Sequence, residues 1–318
     1  MSDLLVPDVD PACMALRRGN FPDTIQFHAP GLKRYATSEY SAHDANEFVS
    51  ISVTGSACAL RCEHCAMKVL EPMGDLPRSE ASLYELCASA ARRGARGVLV
   101  SGGCDQKGRV PLLPHAEDLA RVRRELGLVI RVHPGLPDEE TCQALGEIGI
   151  DGAMVDIIGH RDTVRDVYHL DATPDDYDRA LSALERHGVP IVPHIILGLH
   201  FGKMLGERDA LEIVLRHRPK LLVLVILMPL SGTGMAHVSP PSLEEIGAFF
   251  AAARKALPAT PVMLGCARPL GRLKVEIDRL AVACGLNGIA YPAEGIVAHA
   301  RALGLEPVFV NACCGVGW

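Results

Sequence analysis

Three cysteines near the start of the chain, Cys58, Cys62 and Cys65, have the spacing C-x3-C-x2-C, which is typical of a metal centre. Thiolate sulfur binds iron–sulfur clusters and zinc. A structural zinc site takes four ligands, usually in two pairs, so His64 or a distant cysteine would have to complete one here. A cubane cluster needs no fourth cysteine if one iron binds a ligand that is not protein. The spacing therefore favours an iron–sulfur cluster with an open iron.

The composition is that of a compact α/β protein. The 318 residues fit one large barrel or two ordinary domains, and 48% of them are hydrophobic, enough to bury a large core. The 32 basic and 38 acidic residues give a net charge of −6, without the basic excess that a nucleic-acid surface requires. The sequence therefore predicts no nucleic-acid partner.

The N-terminal residues and the cysteine content bear on where the protein works. The chain start lacks the cationic and apolar regions of a signal peptide, and the longest apolar run, residues 221–229, is too short to cross a bilayer. We therefore expect a cytoplasmic protein with no membrane partner. In that reducing compartment the 11 cysteines are expected to be metal ligands, reactive thiols or core residues, and not disulfides.

From about residue 48 onward, apolar runs alternate with amphipathic helical segments. Most of the runs are apolar throughout, as are parallel strands that are covered on both faces. Eight strands that alternate with helices predict a complete (β/α)8 TIM-type barrel, whose active site lies at the carboxyl ends of the strands. The predicted strands are 48–53, 97–101, 128–133, 152–158, 190–197, 221–228, 261–265 and 287–291.

The two ends of the chain differ from this core. Residues 1–47 contain Pro, Gly and scattered aromatics without a clear period, which predicts an N-terminal extension. Residues 48–300 form the predicted barrel. Residues 301–318, which include Cys313 and Cys314, are too apolar for a free tail, so we expect this C-terminal tail to fold back.

The cysteine motif, directly after the first predicted strand, resembles the signature of the radical S-adenosylmethionine (SAM) superfamily. The resemblance spans about residues 48–295 and is specific only in the cysteines. It implies that Cys58, Cys62 and Cys65 hold a 4Fe-4S cluster whose open iron chelates SAM. One electron then splits SAM into methionine and a 5′-deoxyadenosyl radical, which abstracts hydrogen from an unactivated carbon. His64 stands where the family usually has an aromatic residue near the adenine.

Further segments resemble the SAM-binding parts of the family. The second strand ends in a segment similar to the glycine pair that contacts the methionine amino group, and Cys104 replaces the Glu that often follows. Arg165 resembles the contact to the SAM carboxylate, although a solvated helix face explains it equally well. A lone histidine in an apolar strand run is more often a structural residue than a catalytic one. Because the strands of His133 and His194 end at the predicted active-site rim, both histidines remain candidate substrate or cofactor contacts. The SAM-binding candidates are His64, Ser101, Gly102, Gly103, Asp156, Arg165, His194 and Gly198.

The remaining cysteines include a second group that is a candidate metal site. Cys104 and Cys266 follow the second and seventh strands, and Cys313 and Cys314 lie in the tail. These four are candidate ligands of an auxiliary iron–sulfur cluster. The alternative is that the tail cysteines are simply packed and that Cys104 merely replaces the Glu. Three others lie in helical patterns and are expected to be core residues: Cys87, Cys142 and Cys284.

The seventh-strand segment, residues 265–272, resembles the biotin synthase-like branch, in which an arginine, here Arg268, lies at the auxiliary cluster. This branch implies sulfur insertion into an aliphatic chain, such as a protein-bound octanoyl group. A two-protein lipoyl synthase is one such system, although the N-terminal cysteine motif of the usual lipoyl synthase is absent. The partners implied are a small-molecule or carrier-bound acyl substrate, a ferredoxin or flavodoxin as electron donor, and a partner radical enzyme.

Two other functions remain open. One is a radical rearrangement or cofactor maturation, as in relatives of methylornithine synthase or the hydrogenase maturases, which needs no sulfur-donor cluster. The other is a non-catalytic metal-binding subunit. Iron content and SAM cleavage under reducing conditions distinguish them.

Overall fold

All strands that the structure describes run parallel in one sheet. The structure is a computed structural model and describes residues 9–29, 35–40 and 47–316. The strands are β1 (Thr24–His28), β2 (Phe48–Ser52), β3 (Gly74–Asp75), β4 (Gly97–Ser101), β5 (Val129–Val132), β6 (Gly152–Asp156), β7 (Ile191–Leu197), β8 (Leu222–Ile226), β9 (Val262–Leu264), β10 (Gly288–Ala290) and β11 (Glu306–Val310).

Ten α-helices are present in the described part of the chain, and most of them connect consecutive strands. They are α1 (Ala12–Asn20), α2 (Leu83–Arg92), α3 (Ala116–Arg121), α4 (Glu139–Ile148), α5 (Arg161–Tyr168), α6 (Pro174–Arg186), α7 (Glu207–Leu215), α8 (Leu243–Ala256), α9 (Arg272–Ala283) and α10 (Ile296–Ala302). None of the described helices is long and apolar enough to span a membrane.

Local sequence signals explain where several helices begin and end. Ser82 caps α2 and forms a reciprocal capping box with Glu85, and Ser242 and Glu245 do the same for α8. Gly149 ends α4 with a left-handed φ of 71°, a conformation that glycine adopts without steric cost. These signals fix the helix ends and hence the direction in which each following strand enters the sheet.

The strand order corrects the prediction of a complete (β/α)8 barrel. The hydrogen-bonded order is β11-β1-β10-β9-β8-β7-β6-β5-β4-β2-β3, so all eight predicted strands are present as consecutive neighbours. The order does not close into a ring among the described residues, because β3 and β11 remain as edges. The sequence analysis did not predict β1, β3 and β11. Their pairing depends on contacts between segments far apart in the chain, which local patterns do not reveal.

The sheet is curled, and its two faces carry separate apolar clusters. Outward side chains such as Val98 and Ile130 pack under the helices, whereas Phe48, Met154 and Val223 belong to a second cluster on the concave face. Consecutive residues of a strand point to opposite faces, which is why continuous apolar runs fill both clusters. Because all strands are parallel, their carboxyl ends lie along one rim.

The C-terminal tail lies on the concave face. Asn311 donates through Nδ2 to Glu47 Oε1 at 3.3 Å, which brings the end of β11 close to the start of β2. Beyond it, Cys313 Sγ lies 4.0 Å from Met154 Sδ, and Val316 N donates to Cys313 O at 2.9 Å. Residues 311–316 therefore pack against the inner side of the curled sheet.

Candidate active site

The three motif cysteines lie in the loop after β2, on the rim formed by the carboxyl ends of the strands. Cys62 is buried, and Cys58 and Cys65 are half-buried. The loop turns tightly, because the N–H groups of Cys65 and Ala66 both donate to Cys62 O, at 3.2 and 2.9 Å. Ligand atoms of Cys62, His64 and Cys65 all lie within 4.8 Å of one another. The rim thus carries the cysteine group where the sequence predicted it.

The turn after β4 supports the first cysteine. Cys104 N donates to Cys58 Sγ at 3.3 Å. A Cβ on Gly103 would lie only 1.9 Å from Ala57 O, so only glycine allows this close approach. The N–H of Gly103 donates to Thr54 Oγ1 at 2.7 Å. Gly103 therefore positions the cysteine loop, and its own donor is already used within the protein.

The protonation of the cysteines fits a thiolate donor set. A hydrogen bond from Cys62, which outweighs the opposing effect of burial, lowers the pKa of Cys65 to about 4. The same hydrogen bond, together with burial, raises the pKa of Cys62. The two sulfurs thus share a single proton at neutral pH, and metal binding would displace it. Soft thiolates grouped on one loop are the ligands that an iron–sulfur cluster requires.

An aromatic side chain beside the cysteine loop was missed by the sequence analysis. The rings of His64 and Tyr168 have centroids 5.1 Å apart at an angle of 46°. Burial raises the pKa of Tyr168 well above its usual value, and its hydroxyl has no hydrogen-bond partner among the described residues. Tyr168 lies in the segment after the fourth predicted strand. In that segment the sequence analysis considered only charged side chains and histidines. A lone aromatic in that polar segment was the available signal.

Two histidines and one carboxylate lie together on neighbouring strands: His133 follows β5, Asp156 ends β6, and His194 lies in the middle of β7. His133 Nε2 is 3.6 Å from Asp156 Oδ1, and the rings of His133 and His194 have centroids 5.8 Å apart. Burial disfavours the charged forms of both members of the pair, but their mutual attraction raises the pKa of His133 and lowers that of Asp156 to about 2. Burial lowers the pKa of His194 to about 4. At neutral pH the ionised carboxylate of Asp156 therefore lies beside the neutral imidazole of His194, and it favours the charged form of His133.

The other predicted cofactor contacts near β4 and β7 are on the same rim. Ser101 donates through Oγ to His133 O at 3.1 Å, and a Cβ on Gly102 would meet Thr54 Oγ1 at 3.0 Å. Gly198 has a φ of 76°, and its N–H donates to Glu207 Oε1 at 2.8 Å. Sequence analysis also missed Glu207, a buried carboxylate whose other oxygen has no described partner. These residues therefore lie on the rim that carries the cysteine loop and the His133–Asp156 pair.

Arg165 is not brought to this group by any contact in the structure. Its side chain is 63% exposed and forms ion pairs with Asp162 at 2.9 Å and with Asp166 at 2.6 Å, both on its own helix. This is the solvated helix face that the sequence analysis left open. The SAM carboxylate contact proposed for Arg165 has no structural support.

The four candidate auxiliary cysteines do not form one set. Cys104 lies against Cys58, as described above, and burial raises its pKa to about 12. Cys313 and Cys314 are buried on the concave face, and Cys266 is exposed at the end of β9. In the described part of the chain, the one group of three or more ligands close enough for a single metal ion is Cys62, His64 and Cys65. The expectation of an auxiliary cluster built from Cys104, Cys266 and one or both tail cysteines is therefore not supported for the described residues.

Arg268 is committed to a buried ion pair and does not face the cysteines. It donates to Asp278 Oδ1 through Nε at 2.6 Å, to Gly265 O through Nη1 at 2.8 Å and to Tyr291 O through Nη2 at 2.9 Å. Both side chains of the ion pair are fully buried. Because its donors are used within the protein, Arg268 ties the loop after β9 to α9.

Comparison with known families identifies the class of this site. The Radical SAM superfamily model matches residues 52–204, which include the cysteine loop and the strands from β3 to β7. Residues 52–204 thus form a radical SAM domain, which confirms the resemblance carried by the motif. This class of enzyme uses a 4Fe-4S cluster and SAM.

Curated relatives of the chain are biotin synthases. The mitochondrial biotin synthase of Emericella nidulans is 24% identical over 252 residues, which are 75% of this chain and 60% of that protein. The biotin synthase of Chlorobaculum tepidum is 24% identical over 282 residues, covering 80% of this chain and 79% of that protein. The chain therefore spans less than two thirds of the fungal relative. At these identities the relatives support biotin synthase-like homology, and their particular activity is not transferred.

Solved structures similar to this chain are also radical SAM enzymes. Methylornithine synthase (PylB) has a TM-score of 0.63 at 15% identity, covering 93% of this chain and 87% of that one. The FeFe-hydrogenase maturase HydG from Carboxydothermus hydrogenoformans has the same TM-score and identity, covering 95% of this chain and 71% of that one. At such low identity the likeness shows the fold alone.

Proposed function

We propose that this enzyme inserts sulfur into an aliphatic C–H bond, in a chain such as a protein-bound octanoyl group, in reactions of the lipoyl or biotin type. The observation that carries the proposal is the second group of thiols. Cys313 and Cys314 lie on the concave face below the rim, and exposed Cys266 lies beside them. A radical rearrangement needs no such thiols. The biotin synthase relatives support the same class of reaction.

In this proposal Cys58, Cys62 and Cys65 hold the 4Fe-4S cluster, and the neighbouring rim residues hold SAM. When bound, the cluster and SAM supply a radical that removes hydrogen from an unreactive carbon. The protein contributes the shape and charge of the site. At the cysteine loop the ring of His64 packs near the ring of Tyr168 and forms an aromatic surface.

Asp156, which lies 3.6 Å from His133 Nε2, offers a fixed carboxylate to the SAM ribose or to a polar group of the substrate. Neutral His194 donates or accepts beside it, and its Nδ1 is held by Val192 O at 3.0 Å. The apolar concave face below this layer matches an aliphatic substrate. We infer that the rim holds the polar end of the substrate and that the aliphatic part of the substrate points toward the concave face.

A rearrangement or cofactor-maturation reaction is the second candidate. The observation that favours it is the separation of Cys104 from the tail cysteines, which leaves three thiols where a four-cysteine cluster was expected. A non-catalytic zinc subunit is favoured only by the presence of His64 in the close ligand group with Cys62 and Cys65. The partners of the proposed reaction are an acylated carrier protein, a ferredoxin or flavodoxin, and a second radical enzyme. A cytoplasmic location accords with these partners and remains a prediction.

The test is turnover of anaerobically reconstituted protein with SAM, dithionite and an octanoylated carrier protein. We expect 5′-deoxyadenosine to form and the carrier to gain mass as sulfur replaces hydrogen. Cys58→Ala should abolish both products, because the cluster loses a ligand, whereas Cys142→Ala, at a buried cysteine under the helices, should retain them. Formation of 5′-deoxyadenosine with an unchanged carrier would contradict sulfur insertion into this substrate. A colourless protein containing zinc would contradict the enzyme proposal as a whole.

A further inference from the structure

The C-terminal tail places two adjacent thiols on the concave face, where the cluster-binding loop does not use them. Cys313 is 8% exposed and Cys314 is 4% exposed, and their thiols are hydrogen-bonded to each other. Cys313 Sγ lies 4.0 Å from Sδ of Met154, two residues before Asp156 on β6. The pair therefore lies just below the layer of polar residues at the strand ends.

A buried arginine beside this pair has no carboxylate partner. Arg131 is 1% exposed, donates through Nη1 to Asp151 O, and leaves its Nε without a partner among the described residues. The carboxylate of Asp151 instead pairs with Arg123 at 3.1 Å. Burial lowers the pKa of Arg131 and the negative charges of Cys313 and Asp151 oppose this effect, but no carboxylate of the described residues forms an ion pair with the guanidinium, so this position favours a further anion.

The thiol nearest to that arginine is acidified. The hydrogen bond from Cys314 outweighs burial and lowers the pKa of Cys313 to about 7, with help from the positive charges of Arg131 and His133. Part of the Cys313 population is therefore thiolate at neutral pH, which is the reactive form of the side chain. A sulfur anion at Cys313 would supply the counter-charge that Arg131 lacks.

Cys266 connects this buried pair with solvent. It is exposed in the loop after β9, and it lies close enough to Cys314 for its charge to add to the effects of Cys313 and burial in raising the pKa of Cys314. Its neighbour Ala267 packs against the inner apolar cluster to which both tail cysteines belong. Cys266, Cys314 and Cys313 thus form a path from solvent to the concave face.

We propose that Cys313 carries sulfane sulfur as a persulfide, which is taken up at Cys266, passed through Cys314 and charge-compensated by Arg131. The proposal rests on the sulfur-inserting function and names the source of its sulfur. It accounts for the paired tail thiols, the buried guanidinium that forms no ion pair with a described carboxylate, and the exposed third cysteine. A persulfide also needs no contribution from Cys104, which lies elsewhere.

Each transfer along the path is an exchange without net redox change. Cys314 gives its proton to the thiolate of Cys313, with which it is hydrogen-bonded, and attacks the outer sulfur of a Cys266 persulfide; a new S–S bond forms, the old one breaks, and Cys266 leaves as thiolate. The same exchange moves the outer sulfur to Cys313.

The insertion step consumes that outer sulfur. The substrate carbon radical forms a C–S bond with it, and the S–S bond breaks to leave a thiyl radical on Cys313. One electron from the ferredoxin- or flavodoxin-class donor then returns Cys313 to thiolate.

The test measures sulfur on the tail directly, with or without turnover. The reconstituted full-length chain is incubated anaerobically with heavy-sulfur-labelled polysulfide, or with a cysteine desulfurase and labelled cysteine, then alkylated and digested with trypsin. We expect the peptide of residues 302–318 to gain one labelled sulfur from either donor. Cys266→Ala should block loading from the desulfurase but not from the small polysulfide. The matched control Cys87→Ala, at a buried cysteine under the helices, should load normally from both.

Arg131 and Cys313 give two further readouts. Arg131→Met should reduce loading of the tail several-fold, and Arg131→Lys should restore much of it, because a positive charge is returned. Cys313→Ala should confine the label to Cys314. An unlabelled tail peptide with both donors, or equal loading in a Cys313→Ala/Cys314→Ala double variant, would overturn the proposal even if Arg131→Met fails to fold.

The failure of this inference is distinguishable from failure of the proposed function. If the product acquires sulfur from an unlabelled cluster while the tail stays unlabelled, the persulfide is refuted and sulfur insertion stands. If the tail is loaded but the octanoylated carrier never gains sulfur, the persulfide site stands and the proposed substrate is refuted. Labelled sulfur that disappears from the tail and appears in the product would support both.

Discussion

At the scale of single residues, burial and charge act in opposite directions on the groups at the strand ends. His133 and Asp156 stabilise each other's charge, while His194, at a ring-centroid distance of 5.8 Å from His133, is left neutral. The pKa of Asp156 falls from 3.8 to about 2, so its stabilising contribution is complete above pH 3.8 and is lost as pH falls through about 2. The raised pKa of His133 gives a contribution that is complete below pH 6.5 and is lost as pH rises through the raised value.

Removing the charge of Asp156 should reverse the shift at its partner. In Asp156→Asn only burial and the remaining neighbours act on His133, so we expect its pKa to fall below 6.5. The measurement is an NMR titration of the His133 ring protons in the full chain. An unchanged His133 pKa would show that the pair does not set the charge at this rim.

Gly103 should not tolerate a side chain. Gly103→Ala would place its Cβ 1.9 Å from Ala57 O, so the backbone that carries Cys58 has to move. Such overpacking typically costs about 1–3 kcal/mol, and we expect the variant to lose iron after reconstitution. Gly19→Ala is the matched control, since its Cβ would meet nothing within 4 Å. Equal iron content in both variants would contradict the positioning role of Gly103.

At the scale of elements, one buried ion pair connects three parts of the fold. Asp278 on α9 accepts from Arg268 in the loop after β9 and from the N–H of Ala293 after β10, at 2.6 and 2.7 Å. Both charged side chains are fully buried, so their desolvation is offset only while every hydrogen bond is made. This explains why an arginine next to candidate metal ligands serves as a structural residue.

Breaking that pair on one side should be far worse than breaking a surface pair. Arg268→Met leaves the buried Asp278 carboxylate with Lys274 Nζ, at 3.5 Å, as its remaining counter-charge among the described residues, and we expect the free energy of unfolding to fall by about 1–3 kcal/mol. Urea denaturation measures this loss. Arg179→Met, which removes a surface ion pair with Asp176, should leave the denaturation midpoint nearly unchanged. A small effect at Arg268 would mean that water enters the site.

At the scale of the whole molecule, the tail completes the inner side of an open sheet. Because β11 and β3 are edges, the concave cluster depends on the tail as well as on the strands. Asn311 joins the end of β11 to Glu47, and Cys313, Cys314 and Val316 fill the space inside. Residues 311–316 are therefore part of the core, although they form neither a helix nor a strand.

Deletion of residues 311–318 should expose this inner cluster. Loss of the buried side chains should lower the free energy of unfolding by about 3 kcal/mol or more and should increase the binding of a dye that reports exposed apolar surface. Cys313→Ala keeps the backbone of the tail and should change both readouts much less. Equal behaviour of the deletion and the point variant would show that the tail does not support the fold.

Much of the architecture follows from local patterns. The eight predicted strands are all present, because continuous apolar runs and intervening amphipathic helices are dictated by burial on both faces of a parallel sheet. The cysteine loop was predictable because its three ligands are close in sequence. Tyr168 and Glu207 were not, because each acquires its role from neighbours on other elements.

The sequence by itself determined the class of chemistry and the rim on which it lies, since spacing within one loop and strand periodicity are local properties. Only the tertiary structure decided that the sheet stays open, that Arg268 is tied to Asp278, and that Cys104 lies apart from the tail cysteines. Those outcomes depend on which distant segments compete for the same buried space and the same hydrogen bonds. That competition is settled by packing in three dimensions, which no short stretch of sequence encodes.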